Sequence, residues 1–292
     1  MFIFFDNKIK PYTDLIRIKT SIMAGFGFIL GLWLAYQSKK LNINSEFIFH
    51  SILGFIGGFT LSGSINTFND IKDLKIDIMI KPERPLPKKL VSLKSAKYFA
   101  IALVLVSLVI TIVLFSDILI VILAIVFLGF LYSVGFQNIP VLKNFLVAFL
   151  ISTPLVISAW LVDKDIVYSN KKIMNLFTIA VFGFMLFEWL KDLTDFEGDV
   201  KHGKITIPRV IGLKNSALFI YTGFILVFIL FWNYLANFQL SFIMILLLII
   251  QILILFSSSK ILWNQTPKIV DKARKEIYSV FALTILLLFL LN

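Results

Sequence analysis

The chain has 292 residues, is 59% hydrophobic with 31 Phe, and has a mean hydropathy of +0.93; soluble domains run about 45–50% apolar, so composition alone marks a membrane protein. With no Cys and only two histidines, His50 and His202, disulfides and thiolate metal sites are excluded, and a zinc centre or a Ser-His-Asp triad is disfavoured. A formal charge of +11 in so apolar a chain points to anionic lipid or an anionic substrate rather than to nucleic acid.

A membrane helix needs about 20 mostly apolar residues. That length predicts nine spans, at 16–36, 46–68, 93–115, 117–135, 141–162, 173–190, 215–234, 239–257 and 277–291. The expected fold is all-α: nine transmembrane helices in one bundle around a central cavity, capped by the loops that carry the acidic motifs, with 1–292 as a single transmembrane domain. The opening apolar run, Phe2 to Phe5, is too short for a cleavable signal, so the first span is expected to act as its own insertion signal.

Placing the amino terminus in the cytoplasm puts 23 of the 28 Lys and Arg residues on the cytoplasmic side, which fixes the expected orientation by the positive-inside rule. Two segments stand out on that side. Asn66 to Asp77 follows the second span, and Glu188 to Asp199 follows the sixth. Each has the spacing Asp-x-x-Asp-x-x-x-Asp, at 70, 73 and 77 and at 192, 195 and 199. Nine of the 17 acidic residues fall between Asp70 and Glu83 or between Glu188 and Asp199. A basic, Pro-broken loop follows each: Lys81-Pro82-Glu83-Arg84-Pro85-Leu86-Pro87 after the first, and Lys201 to Arg209, with Lys204 and Pro208, after the second.

On a continuous helix, Asn69, Asp73 and Asp77 form one stripe, and Glu188, Asp192, Asp195 and Asp199 form another. Carboxylates so close repel one another. A hard divalent cation removes that penalty, and oxygen-only ligands suit Mg²⁺, which takes one or two carboxylates and fills its shell with water and phosphate oxygens. The metal-ligand candidates are Asn69, Asp70, Asp73, Asp77, Asp192, Asp195 and Asp199. The catalytic candidates are Asp73, Asp77, Asp195 and Asp199. With Lys81, Arg84, Lys191 and Lys204 interspersed, the two clusters read as a two-sided clamp on a diphosphate. The bland alternative is a pair of solvated helix ends held by local ion pairs.

These residues resemble the UbiA superfamily of intramembrane prenyltransferases. Its first motif appears as Asn69 to Asp77 with the loop Arg84 to Pro87, and its second as Asp192, Asp195 and Asp199. The pattern Lys191-Asp192-x-x-Asp195-x-Glu197-Gly198-Asp199, then Gly203 and Thr206-Ile207-Pro208, is most similar to the archaeal branch that makes digeranylgeranylglyceryl phosphate; chlorophyll synthases share the Glu-Gly-Asp part. The resemblance implies a Mg²⁺-dependent transfer from an isoprenyl diphosphate to a lipid-soluble acceptor in the cell membrane, with no nucleic acid and no protein partner required. It also implies diphosphate or prenyl contacts at Arg17, Asn66, Asn69, Tyr132 and Asn144. Where the family often carries Lys and Asn, this chain has Gln137 and Thr20, and Lys143 is the expected substitute.

Two rival functions stay open on sequence: transfer of the same prenyl group to an aromatic acceptor, and a cation transporter. A transporter would place carboxylates near span centres, and the centres of the predicted spans hold almost none.

Overall fold

The computed structural model describes residues 2–114, 116–135, 139–201, 203–236 and 238–291. Fourteen α-helices form among them: α1 (Phe2–Leu15), α2 (Ile18–Ser38), α3 (Ser45–Lys72), α4 (Leu74–Ile80), α5 (Leu93–Leu114), α6 (Leu119–Val134), α7 (Leu142–Trp160), α8 (Ile166–Ser169), α9 (Lys171–Thr194), α10 (Phe196–Lys201), α11 (Ile207–Ile211), α12 (Leu213–Leu235), α13 (Phe242–Trp263) and α14 (Pro267–Leu288). Seven of these, α2, α3, α5, α7, α9, α12 and α13, are long and apolar enough to cross a membrane. Two of the nine expected spans differ from that standard. At 16 residues, α6 is about 24 Å long against a ~30 Å hydrocarbon core. The first half of α14 carries Lys268, Asp271, Lys272, Arg274, Lys275 and Glu276, so only its second half is apolar.

The long helices alternate in direction, which gathers the ends of α3, α6, α9 and α13 with the starts of α2, α5, α7, α12 and α14. This is the motif end. At the opposite end, local chemistry starts the helices that run back. Asn44 accepts from the Phe47 N–H at 2.8 Å, Asn170 from Lys172 and Ile173 at 3.0 and 3.2 Å, and Ser241 from Met244 at 3.3 Å. Each cap satisfies an orphan amide and contributes about 1 kcal/mol.

The main core runs through α2, α7, α9, α12, α13 and α14, and a second patch of Leu15, Leu86, Val91 and Ala96 lies under the first basic loop. α5 turns Ile101, Leu105, Val109 and Ile112 outward, as a lipid-facing helix must when lipid replaces water as solvent. Close helix contact depends on Gly31. A Cβ there would fall 1.9 Å from the Leu155 carbonyl oxygen, so α2 and α7 touch backbone to side-chain-free backbone.

Candidate active site

Both acidic segments begin on the last turns of long helices, which extend further than hydropathy predicts: α3 to Lys72 and α9 to Thr194. Each helix then stops on an aspartate. Asp73 (φ −82°, ψ 0°) separates α3 from α4, and Asp195 (φ −89°, ψ 4°) separates α9 from α10. The continuous helical stripe expected from the spacing is therefore corrected to two helices meeting at a bend, with the bend residue in or near the bridge region. The Asp77 N–H still donates to the Asp73 carbonyl at 2.8 Å, and the Asp199 N–H to that of Asp195 at 2.9 Å. The third acid of each segment thus stays one turn beyond the second.

Apart from Lys191 on Glu188, an i,i+3 pair within α9, the counter-charges come from other elements. Asp70 Oδ1 accepts from Arg17 Nη2 and from Arg84 Nη1, each at 3.0 Å, and Arg84 Nη1 also donates to Asp77 Oδ2 at 2.6 Å. Asp192 accepts from Lys143 Nζ at 2.7 Å and from Asn144 Nδ2 at 3.0 Å. Lys191 Nζ donates to Glu188 Oε2 at 3.2 Å. Lys81, from the first loop, donates to Asp195 Oδ2, in the second segment, at 2.7 Å. Arg17 reaches Asp70 from a left-handed backbone (φ 49°, ψ 63°), a conformation that costs a non-glycine residue about 1–2 kcal/mol and that marks the α1–α2 corner as held in place by its contacts. Asn66 Nδ2 donates to the Ile16 carbonyl at 3.2 Å and braces the same corner.

Asp73 and Asp199 are different. Both are buried, and neither takes part in an ion pair among the described residues. Asp73 accepts only the Asn69 amide, at 3.2 Å. The carbonyl oxygens of Asn69 and Asn144 are buried with no hydrogen-bond partner. Among the described residues, no three acidic side chains converge tightly enough to hold a metal unaided.

Burial pushes the Asp77 carboxyl above the usual range against the pull of Arg84. It raises Asp199 too; Lys143 opposes the rise, and Asp192 adds to it. Burial would also raise Asp195, but Lys81, helped by Lys191 and Arg274, holds it below the carboxylate norm. Lys81 itself is lowered by burial, against the pull of Asp195, with Lys191 and Arg84 adding to the decrease. Lys204 lies beside the second segment, its N–H on the Asp199 carbonyl at 3.0 Å.

Below these charges lies a cavity of about 140 Å³. Arg17, Asn66, Asn69, Tyr132, Glu188 and Lys191 ring its mouth, Thr20 lies just inside, and Phe28, Gly54, Ser107, Thr111 and Ile122 line its far part. From Asn69 to Gly54 along α3 is about 22 Å at 1.5 Å per residue. A second cavity, of about 100 Å³, lies across α7 from the first, between α2, α9, α12, α13 and α14; Ile151 borders both. Gln137 and His202 lie outside the described residues, as does the side chain of Ser133.

Residues 24–288 match the family model described as the UbiA prenyltransferase family. The chain belongs to this family. This UbiA prenyltransferase is 33% identical over 282 residues to the digeranylgeranylglyceryl phosphate synthase of Methanococcus maripaludis, covering 95% of the chain and 96% of the relative. It is 30% identical to the Methanosarcina mazei protein of the same name, over 75% of the chain and 77% of the relative. Among solved structures, one from work on digeranylgeranylglyceryl phosphate synthase in membranes superposes with a TM-score of 0.69 at 27% identity, covering 97% of this chain and 98% of that one. A UbiA homolog from Archaeoglobus fulgidus bound to GPP and Mg²⁺ shares the fold, with a TM-score of 0.64 at 16% identity over 93% and 99% of the two chains.

Three residues at or near the motif end of this UbiA prenyltransferase were not among the sequence candidates. Glu188, placed on the acidic face but not nominated, stands at the cavity mouth. Arg274 falls in a segment that reads as a polar loop before the last span, and Tyr278 at the start of that span, so neither stood out as a site residue. Their i,i+4 spacing is the one signal that places them on a common helix face.

Proposed function

We propose that the protein transfers a geranylgeranyl group from geranylgeranyl diphosphate to 3-O-geranylgeranylglyceryl phosphate, forming the second ether of an archaeal lipid and releasing diphosphate. One observation carries this reading: two buried aspartates that make no direct ion pair among the described residues, Asp73 and Asp199, belong to the motif segments beside a cation-lined mouth above a ~22 Å apolar slot. A diphosphate with divalent metal fits the mouth, and an isoprenoid chain fits the slot. The names of the relatives, at 30–33% identity, support the choice of acceptor.

Mg²⁺ fits the residues present. Asp73 and Asp199 supply uncompensated carboxylates, and the partnerless Asn69 oxygen supplies a neutral acceptor, an all-oxygen donor set. Asp77, Asp192 and Asp195 complete the two clusters. Asp70 enters as the anchor that holds Arg17 and Arg84. When bound, the metal neutralises the phosphate oxygens and stabilises the leaving diphosphate.

Arg17, Lys81, Arg84, Lys143, Lys191 and Lys204 add fixed positive charge around the same group, preorganised by their present carboxylate partners. The C1–O bond of the donor breaks, and its electron pair leaves with the diphosphate. The acceptor hydroxyl oxygen bonds to C1 and loses its proton. Glu188, at the cavity mouth with Tyr132, is the carboxylate placed to take that proton: it lines the cavity, which Asp195 does not, and its ion pair with Lys191 at 3.2 Å is longer than the 2.7 Å pair of Asp195 with Lys81. Tyr132, the aromatic side chain among those ringing the mouth, is placed to shield the developing allylic cation by its negative face.

The whole chain, 1–292, acts as one unit with nine helices crossing the membrane, α6 and α14 included. The motif end lies in the cytoplasm, a reading supported by the 23-to-5 distribution of Lys and Arg. The test is purified enzyme with geranylgeranyl diphosphate, Mg²⁺ and a panel of acceptors. Turnover is expected with the phosphorylated prenylglycerol; turnover with an aromatic acid alone overturns the assignment.

A further inference from the structure

The product of the proposed reaction carries two long chains and one phosphate on glycerol, yet the first cavity accounts for one chain only. The second cavity runs along α9 from Leu176 to Phe184 and along α14 from Phe281 to Leu288. It is almost wholly apolar, its polar groups including Ser152 and the buried pair Gln251 and Thr284, joined at 3.2 Å. Phe184 and Phe281 form its wall toward the motif end, in edge contact at 5.8 Å. One turn nearer the motifs, Tyr278 rests against Phe187 at 5.7 Å, and one turn further on the same face of α14 is Arg274.

The polar atoms of these two residues are incompletely used. The Tyr278 hydroxyl and the Arg274 Nε are buried and have no hydrogen-bond partner, although Arg274 Nη2 donates to Asp271 at 2.6 Å. A buried guanidinium N–H and a buried phenol without an acceptor among the described residues are unmet donors, which an anionic oxygen would satisfy. From Arg274 to Leu288, at the far part of the cavity, α14 covers about 21 Å, close to the ~22 Å of the first slot.

We infer that this strip between α9 and α14 is the acceptor site: Arg274 and Tyr278 hold a phosphate monoester, and the second cavity holds the single isoprenoid chain attached to it. The inference rests on the proposed reaction and assigns its second substrate. The two chains then lie on either side of Ile151, and both headgroups meet at the motif end. Arg274 also lies within electrostatic reach of Asp195, so the acceptor phosphate sits beside the clamp without sharing it.

Three variants test this in the intact enzyme with geranylgeranyl diphosphate and Mg²⁺: Arg274→Gln, Tyr278→Phe and Gly27→Leu. Tyr278→Phe removes a hydroxyl that bonds to nothing in the protein, so a purely structural role leaves its kinetics unchanged and its Tm equal or higher. A Cβ at Gly27 meets no atom within 4 Å, and Gly27 lines the second cavity, so a leucine side chain starts into open space there. The expected result is a KM for geranylgeranylglyceryl phosphate raised at least tenfold in Arg274→Gln and at least threefold in Tyr278→Phe, with the KM of the donor unchanged in both. Gly27→Leu is expected to discriminate against the C20 acceptor and to recover with a C10 acceptor. Wild-type turnover with unchanged acceptor KM in Tyr278→Phe and Gly27→Leu overturns this site and leaves the reaction standing. No wild-type turnover with any phosphorylated prenylglycerol overturns both.

Discussion

Lys81 and Asp195, 114 residues apart in sequence, meet at 2.7 Å and tie the loop after the first acidic segment to the bend of the second. The pair is about one-quarter exposed on each side. Its coupling should therefore fall between the ~0–1 kcal/mol of surface pairs and the ~3–5 kcal/mol lost when a fully buried pair is broken. A double-mutant cycle with Lys81→Met and Asp195→Asn, read by thermal unfolding, is expected to give about 1–2 kcal/mol. A coupling near zero would mean that the two segments are not joined by this contact.

A single nitrogen of Arg84, Nη1, bridges Asp70 and Asp77, held there by a rigid, planar, weakly hydrated guanidinium that a strongly hydrated ammonium on a flexible stem does not match. Arg84→Lys keeps the charge and should still lower kcat/KM at least tenfold, measured with saturating acceptor. Activity within twofold of wild type would show that charge alone suffices at this position.

Asp73→Asn and Asp199→Asn each remove a buried charge that makes no direct ion pair among the described residues, so folding should be unharmed and Tm equal or higher. Turnover should fall by at least 10²-fold, of the order of a lost electrostatic contact to a leaving group. In wild type, Mg²⁺ with diphosphate should raise Tm by linkage, and a chelator should abolish both this rise and turnover. The rise should be absent in the two variants; its full retention would remove these aspartates from the metal site.

Away from the motif end, Lys39 pairs with Asp163 and links the finish of α2 to that of α7. The hydrogen bond from Lys39 holds the Asp163 carboxyl below its ordinary value. A depressed carboxylate contributes stability that is present above the unfolded pKa, about 3.9, and that is lost as pH falls through the folded value. Wild type should thus unfold at a higher temperature than Asp163→Asn at pH 7, and the gap should close on acidification below pH ~4. A gap that persists at pH ~2 would assign the effect to packing.

Chain length should respond to the far part of the first cavity. Ser107 is buried there on α5, 14 residues beyond the helix start at Leu93, or about 21 Å from it. Ser107→Phe is expected to shift the donor preference from C20 toward C10 or C15 diphosphates, measured as relative kcat/KM. An unchanged profile would place the chain elsewhere.

The acidic spacing, the Pro-broken basic loops and the helical class were legible because each is a local pattern. Asp70, Asp73 and Asp77 lie close in sequence and remain close in space. Hydropathy also placed α2, α3, α5, α7, α9, α12 and α13, since their apolar runs are long. It ended α3 and α9 too early, because a helix sheltered by neighbours carries Asn69, Asp70 and Asp192 further than a lipid-exposed one would. Three things depend on tertiary placement and leave no local trace: that Arg17 shares Asp70 with Arg84, that Asp73 and Asp199 alone among the six motif aspartates have no ionic partner, and that Arg274 and Tyr278 face α9. The bends at Asp73 and Asp195 were missed for a related reason, since no Pro or Gly marks either position.

The fixed cations of the motif end already occupy most of the acids around them. A membrane enzyme works among an enormous excess of lipid headgroups, each bearing phosphate. A singly charged phosphodiester arriving without a divalent ion offers too little to draw Arg17, Arg84, Lys81 and Lys143 from their carboxylates, and it meets the exposed field of Asp73 and Asp199 as repulsion. A diphosphate that brings its own metal reverses both terms at once. The resting charge pattern is thus a filter against the solvent in which the protein lives.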